Sequence, residues 1–376
     1  MMRRKCHFVS QFAKASGIAC IVLLAVTQAH ALVIDAGFEA SITSAPNAAT
    51  IETAIDTAVD AIASLYSNPG TVSILFTTAP TASGVLSDSS TVEDTETYSS
   101  YIALLKTDAT ANPANTTLAT AVANLGYGND ANGSRDIAAS TALLRVGLGD
   151  ASVTPCYNST GVVITSCNGA GAGLGLYDGV ITLSSNQPID YTRPVASGYY
   201  DAIRIVEHET DEVLGGGGAG STLNAIATYG LNNIYHPLTL FDGPLDLYRY
   251  SAPHTPSFCT AAATPSALCT SSTTPTAYFS VNGGVTAIVG FNQASGGDFG
   301  DFLSSSGCPD YVQDAFTCPN QQANETASSP EYLMLEALGY DPVPEPTSLA
   351  MLGMAMGGLA LMRRRRAYGF AGVTQS

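Results

Sequence analysis

Between Ile203 and Gly218 the chain reads IRIVEHETDEVLGGGG. Residues four apart stand on one face of a helix, so His208 and Glu212 can reach one metal ion together. Glu209, the next residue along from His208, can address a water beside that ion. Ile203, Ile205, Val206, Val213 and Leu214 make the flanks apolar, which predicts a buried helix. Buried charges need partners or a metal. The run of glycines then ends the helix, because Gly readily takes the left-handed cap. An exposed acidic helix face is the plainer reading of the same letters.

The arrangement is that of the H-E-x-x-H zincin helix, with Glu in place of the second His. Such a site needs three protein ligands and one open position. His208 and Glu212 supply two, and Glu209 suits the general base. The third ligand is open among Asp246, His236 and His254. Asp246 is preferred because it sits in the dense segment LDLYRYSAP, where it could instead cap a turn or partner Arg249. In the longer pattern H-E-x-x-H-x-x-G-x-x-H, Gly215 falls on the glycine but Gly218 falls where a third His would stand. Asp298 and Asp301 in GGDFGD could bind Ca²⁺ through oxygen, or form a simple Gly-Asp turn. A site richer in carboxylate could also prefer another divalent metal.

Both ends carry targeting segments. Arg3, Arg4, Lys5 and Lys14 precede or flank an apolar stretch from Gly17 to Val26, and Ala29-His30-Ala31 fits a signal peptidase site. Residues 1–31 are therefore expected to be a secretory signal peptide. At the other end Val343-Pro344-Glu345-Pro346 precedes an apolar run from Leu349 to Met362 and then Arg363 to Arg366. That run is short for a spanning helix, and the arginines would hold its end in the cytoplasm. The segment 343–368 resembles a PEP-CTERM sorting signal, which implies cleavage by an exosortase after transient anchoring in the inner membrane. Export to the periplasm, cell surface or extracellular matrix would follow.

The remaining stretch, 32–342, is one zincin-like region or two parts, 32–176 and 177–342. The whole chain has 14 basic and 31 acidic residues; the signal takes four basic, the tail four basic and one acidic, leaving 6 and 30, a net charge of −24. Such a surface repels nucleic acid. Six cysteines remain, in local pairs: Cys156 with Cys167, Cys259 with Cys269, Cys308 with Cys318. An even number in an exported chain argues for disulfides.

Ile51, Ile55, Val59, Ile62 and Leu65 predict a helix over 48–66, and Val72 to Phe76 a strand. Residues 79–96 are rich in Ser, Thr and Asp and read as a surface loop. Helices are expected at 97–107, 115–124, 137–146, 198–214 (N-capped by Ser197) and 330–340. Tyr278 to Gly284 reads as a strand and turn. Gly179 to Ser185 alternates as a strand, and its place about twenty residues before the metal helix suits an edge strand that pairs with an extended substrate.

The segments EHETDEVLG, LDLYRYSAP, AYFSVNGG, FNQASGGDFGDF and LEALGYDPVPEP, in that order, resemble a family of PEP-CTERM-tailed zincin metalloproteases. Its motif reads approximately H-E-[IT]-[ST]-E-V-[ML]-G-R. The chain matches at His208, Glu209, Thr210, Glu212, Val213, Leu214 and Gly215, and departs at Asp211 and Gly216. The resemblance implies an α+β fold with a small mixed sheet, an active-site helix and a loop-rich C-terminal part. It further implies Zn²⁺ and a peptide or protein substrate. LDLYRYS also resembles the turn under the zinc in metzincins, which would place Tyr250 near the metal to steady an oxyanion. Two functions fit the whole sequence: an exported zinc endopeptidase, or a non-catalytic surface or biofilm-matrix protein on a degenerate zincin fold.

Overall fold

The computed structural model describes residues 32–125, 136–164, 175–218, 241–257, 277–294, 297–304 and 311–344. The centre is a four-stranded sheet of β1 (Val33–Phe38), β2 (Thr71–Ala79), β6 (Gly179–Ser184) and β3 (Ser87–Thr91), in the order β1-β2-β6-β3. The first three are mutually parallel, and β3 runs antiparallel to β6. Parallel neighbours need a crossover, and here it runs through α1 (Ala40–Thr43) and α2 (Ala48–Ala63). In α2 the helical repeat of apolar residues holds: Ile51, Ile55, Val59 and Ile62 are all buried. They meet Ile74, Phe76, Ile181 and Leu183, which are also buried, in one continuous core. The helix α5 (Ala202–Val213) lies beside α2 in that layer.

Three expectations change here. Gly179–Ser184 is a strand, but it lies inside the sheet; the edge is β3. β3 and β4 (Glu93–Glu96) both fall in the stretch read as loop. Their sequence, SDSST-V-EDTE, has no apolar alternation; on β3 the inward-facing Ser87 and Ser89 meet carboxylates of α5 instead of apolar side chains. The expected helix at 137–146 is a strand, β5 (Asp136–Ser140), followed by a π-helical turn at Leu143–Gly147. A short apolar run such as IAA serves a buried strand or a buried helix equally.

Smaller sheets complete the body. β4, β5 and β9 (Phe241–Asp242) form one. β10 (Arg249–Ala252), β11 (Thr255–Pro256), β12 (Tyr278–Phe279) and β13 (Val289–Gly290) form another. β7 (Ile189–Asp190) pairs with β8 (Tyr200–Asp201) just before α5. The helices α3 (Tyr98–Ala111), α4 (Thr116–Asn124) and α6 (Pro330–Leu338) lie near their expected positions. Two buried amides stitch the C-terminal end to the rest. Asn68 Nδ2 donates to the carbonyls of Val146, Gly147 and Gly339, and Asn115 Nδ2 donates to those of Glu336 and Tyr340. Cys156 and Cys318 are each part of a disulfide. The partners expected for them, Cys167 and Cys308, lie outside the described residues, as do Cys259 and Cys269.

Candidate metal centre

The N-cap of α5 is Asp201, and not Ser197. Its Oδ1 accepts from the Ile203 amide at 3.3 Å, and Arg193 fixes it through a salt bridge. That short cap starts the helix four residues later than its apolar pattern suggests, because 200–201 are held as a strand. From this start, Ala202, Ile205, Val206 and Val213 turn into the core. His208, Glu209 and Glu212 turn into a cavity of about 600 Å³, which β3 and the segments 297–301 and 314–317 also line.

His208 and Glu212 meet there as their spacing predicts, with Nε2 and Oε1 3.5 Å apart. The third member is Asp301, whose Oδ2 lies 3.8 Å from the same Nε2. One ligand atom from each lies within 4.8 Å of the others, and among the described residues no other group of three acidic, His or Cys side chains converges this way. In a tetrahedral zinc site with bonds near 2.1 Å, neighbouring ligand atoms stand roughly 3.4 Å apart. The cluster, whose ligand atoms lie within 4.8 Å of one another, would have to draw together to match.

The glycine run brings Asp301 in. Gly218 donates its amide to Asp301 Oδ1 at 3.1 Å. A Cβ at Gly217 would lie 2.9 Å from that oxygen and 2.3 Å from Gln313 Nε2, and the backbone there has φ +101°. Any side chain would push the Asp301 loop away. Gln313 Nε2 donates to the same oxygen at 3.0 Å, and Glu331 on α6 accepts from the Gln313 amide at 2.9 Å. The carbonyl of the adjacent Val312 lies 3.0 Å from His208 Nδ1. With Nδ1–H donating there, Nε2 is the nitrogen that faces the cluster.

Glu209 stands 5 % exposed beside this group. Its Oε1 accepts from the Ser87 hydroxyl, while its Oε2 is buried without a hydrogen-bond partner. Burial, then the charge of Glu212, pushes its carboxyl well above the usual range. Burial opposes the charge on His208, but Asp301, then Glu212 and Glu209, outweigh it and raise its pKa to about 10. Burial also lifts Asp301 to about 7. One imidazole and three carboxylates are thus crowded together, and His208, Glu209 and Asp301 hold protons more tightly than usual.

A stability profile follows with a definite sign. The folded chain binds a proton on His208 more tightly than the ordinary value of 6.5. That contribution is complete below pH 6.5 and lost as pH rises through about 10. Without metal, the melting temperature should fall across this window; the raised Asp301 gives a fall of the same sign at lower pH, between its ordinary 3.8 and about 7. A metal ion bound through His208 Nε2 would have to displace that proton, so any zinc affinity of the cluster should rise over the same range. Melting curves in chelator and in zinc across the window check both; a flat profile in chelator contradicts the assignment.

The other expected residues lie elsewhere. Asp246 is outside the cluster: it caps the 3₁₀ turn Pro244–Tyr248, accepting from the Gly243 amide at 2.9 Å, and its charge supports that of the buried Arg249. His254 is exposed at the β10–β11 turn, its amide donating to the Gly283 carbonyl. His236 lies outside the described residues. Tyr250 is buried in β10 with its ring against Gly284 and does not line the cavity. Asp298 lines the cavity but is not in the converging group. Sequence reasoning missed the roles of Ser87, Ser89, Gln313 and the cavity-lining Arg204.

The tail decides the wider setting. Residues 342–366 match the PEP-CTERM protein-sorting motif. A PEP-CTERM protein is processed by exosortase and sorted to the cell envelope or surface. The PEP-CTERM segment leaves the body just after α6, where Pro342 still bridges Tyr66. Among the described residues no helix is long and apolar enough to cross a membrane, and the apolar run 349–362 lies outside them. No curated protein and no solved structure matches the chain.

Proposed function

We propose that this exported protein is a zinc-dependent endopeptidase with a zincin-like active site. The observation that carries the reading is the convergence of His208, Glu212 and Asp301 beside a carboxylate, Glu209, with one oxygen uncommitted. His208, Glu212 and Asp301 would hold a zinc ion, which would supply the Lewis acidity to activate a water and polarise a peptide carbonyl. Glu209 Oε2 takes the proton of the attacking water and delivers it to the leaving amine. The edge strand β3 borders the cavity at Ser87, Asp88 and Ser89. Its outer side pairs with no described strand. An extended peptide added there is held through its backbone, largely independent of its sequence. Tyr250 has no part in this scheme, and the Ca²⁺ expected near Asp298 and Asp301 gives way to zinc on Asp301.

We infer the route of export from the two ends. Residues 1–31 direct passage through the Sec pathway and are removed by signal peptidase. The PEP-CTERM tail holds the chain in the inner membrane until exosortase cleaves it, and the product passes to the periplasm, cell surface or matrix.

The reading is tested by incubating the purified protein with casein and with unstructured peptides. Cleavage lost in chelator and restored by zinc is the expected result. Stoichiometric zinc with no cleavage of any peptide would leave the non-catalytic surface protein in its place.

A further inference from the structure

The edge strand carries a regular feature that neither metal binding nor strand addition requires. Ser87 and Ser89 are two apart on β3, so they share one face. Glu209 and Glu212 are three apart on α5 and are neighbours on one side of the helix. The two pairs meet in order: Ser87 donates to Glu209 Oε1, and Ser89 donates to Glu212 Oε2 at 2.5 Å. Directly across the strand pair, Ser87 faces Leu183 and Ser89 faces Ile181. Those residues on β6 are fully buried. The same face of the sheet is therefore apolar under the body of the core and changes to hydroxyls where α5 presents carboxylates.

The hydroxyls divide the work of each carboxylate. Glu212 gives Oε2 to Ser89 and keeps Oε1, 3.5 Å from His208 Nε2, for the cluster. Glu209 gives Oε1 to Ser87 and keeps Oε2 without a partner. A carboxylate with one oxygen tied down cannot rotate to offer either oxygen at random. Because both ties come from the strand on which a peptide would add, docking on β3 and alignment of the site are mechanically linked.

We propose that Ser87 and Ser89 are positioning residues with separate duties: Ser87 orients the general base, and Ser89 orients a metal ligand. This rests on the endopeptidase reading above. The test uses the whole exported protein and the variants Ser87→Ala, Ser89→Ala and Ser87→Thr. Zinc affinity is measured by competition with a chromogenic chelator, and kcat and KM on a fluorogenic peptide at saturating zinc. Ser87→Ala should lower kcat about tenfold, as loss of one charge-assisted hydrogen bond does, with KM and zinc affinity unchanged. Ser87→Thr, which keeps the hydroxyl, should restore kcat. Ser89→Ala should lose about 10–100-fold in zinc affinity, the usual effect of removing a ligand's outer partner. Its kcat at saturating zinc should stay near wild type. Variants that match wild type in both readouts, or the two serines failing in the same readout, would overturn the inference while wild-type activity keeps the endopeptidase reading. A wild type that neither holds zinc nor cleaves overturns both.

Discussion

Glu209→Gln should abolish peptide cleavage while the protein keeps its metal and its fold. General acid–base catalysis by a placed carboxylate contributes about 10²–10⁴-fold, and an amide cannot take the proton. The substitution is nearly isosteric, and its amide oxygen can still accept from Ser87. It also removes a buried carboxylate that Glu212 repels, so the folded variant should be no less stable than wild type. Metal analysis, a melting curve and peptide cleavage on the same sample check all three. A variant that still cleaves at the wild-type rate would show that the base is some other group.

The second large effect separates the two candidates for the third ligand. Asp301→Ala should lose zinc affinity by more than the about 10–100-fold typical of outer partners, because a direct ligand is gone. The loss should exceed that of Ser89→Ala, and activity should fall with it. Asp246→Asn should leave zinc affinity unchanged. It weakens the cap on the Gly243 amide and the support for the Arg249 charge, so its effect belongs in stability. Direct zinc titration of both variants decides between them. The opposite ranking would move the third ligand to Asp246.

The helix that carries the site was legible because its signal is local. His208, Glu209 and Glu212 fall within one and a half turns, and the apolar residues around them repeat at the helical period. The same holds for α2. The third member of the cluster, the ligand proposed above, was not legible as such. Asp301 stands 89 residues after Glu212 and is reached through glycine contacts and Gln313, none of which leaves a local pattern. The glycine run signals a helix stop, and it is one; its second role, a surface flat enough for the Asp301 loop, depends on a loop far away in sequence. Asp246 drew attention through its apolar neighbours, yet those neighbours mark a buried turn whose carboxylate is spent on capping. The edge strand was missed for a related reason. Ser-Asp-Ser-Ser-Thr alternates in role and not in polarity: two hydroxyls face carboxylates on α5, and between them stands the more exposed Asp88. Patterns of apolar and polar residues cannot register a strand that is polar on both faces.

The most direct measurement is the anomalous diffraction of crystals grown with zinc, collected on either side of the zinc edge. One strong peak is expected in the cavity, within about 2.0–2.2 Å of His208 Nε2 and a carboxylate oxygen from each of Glu212 and Asp301. A peak at Asp246 or His254 instead, or no peak among His208, Glu212 and Asp301, would contradict that ligand set.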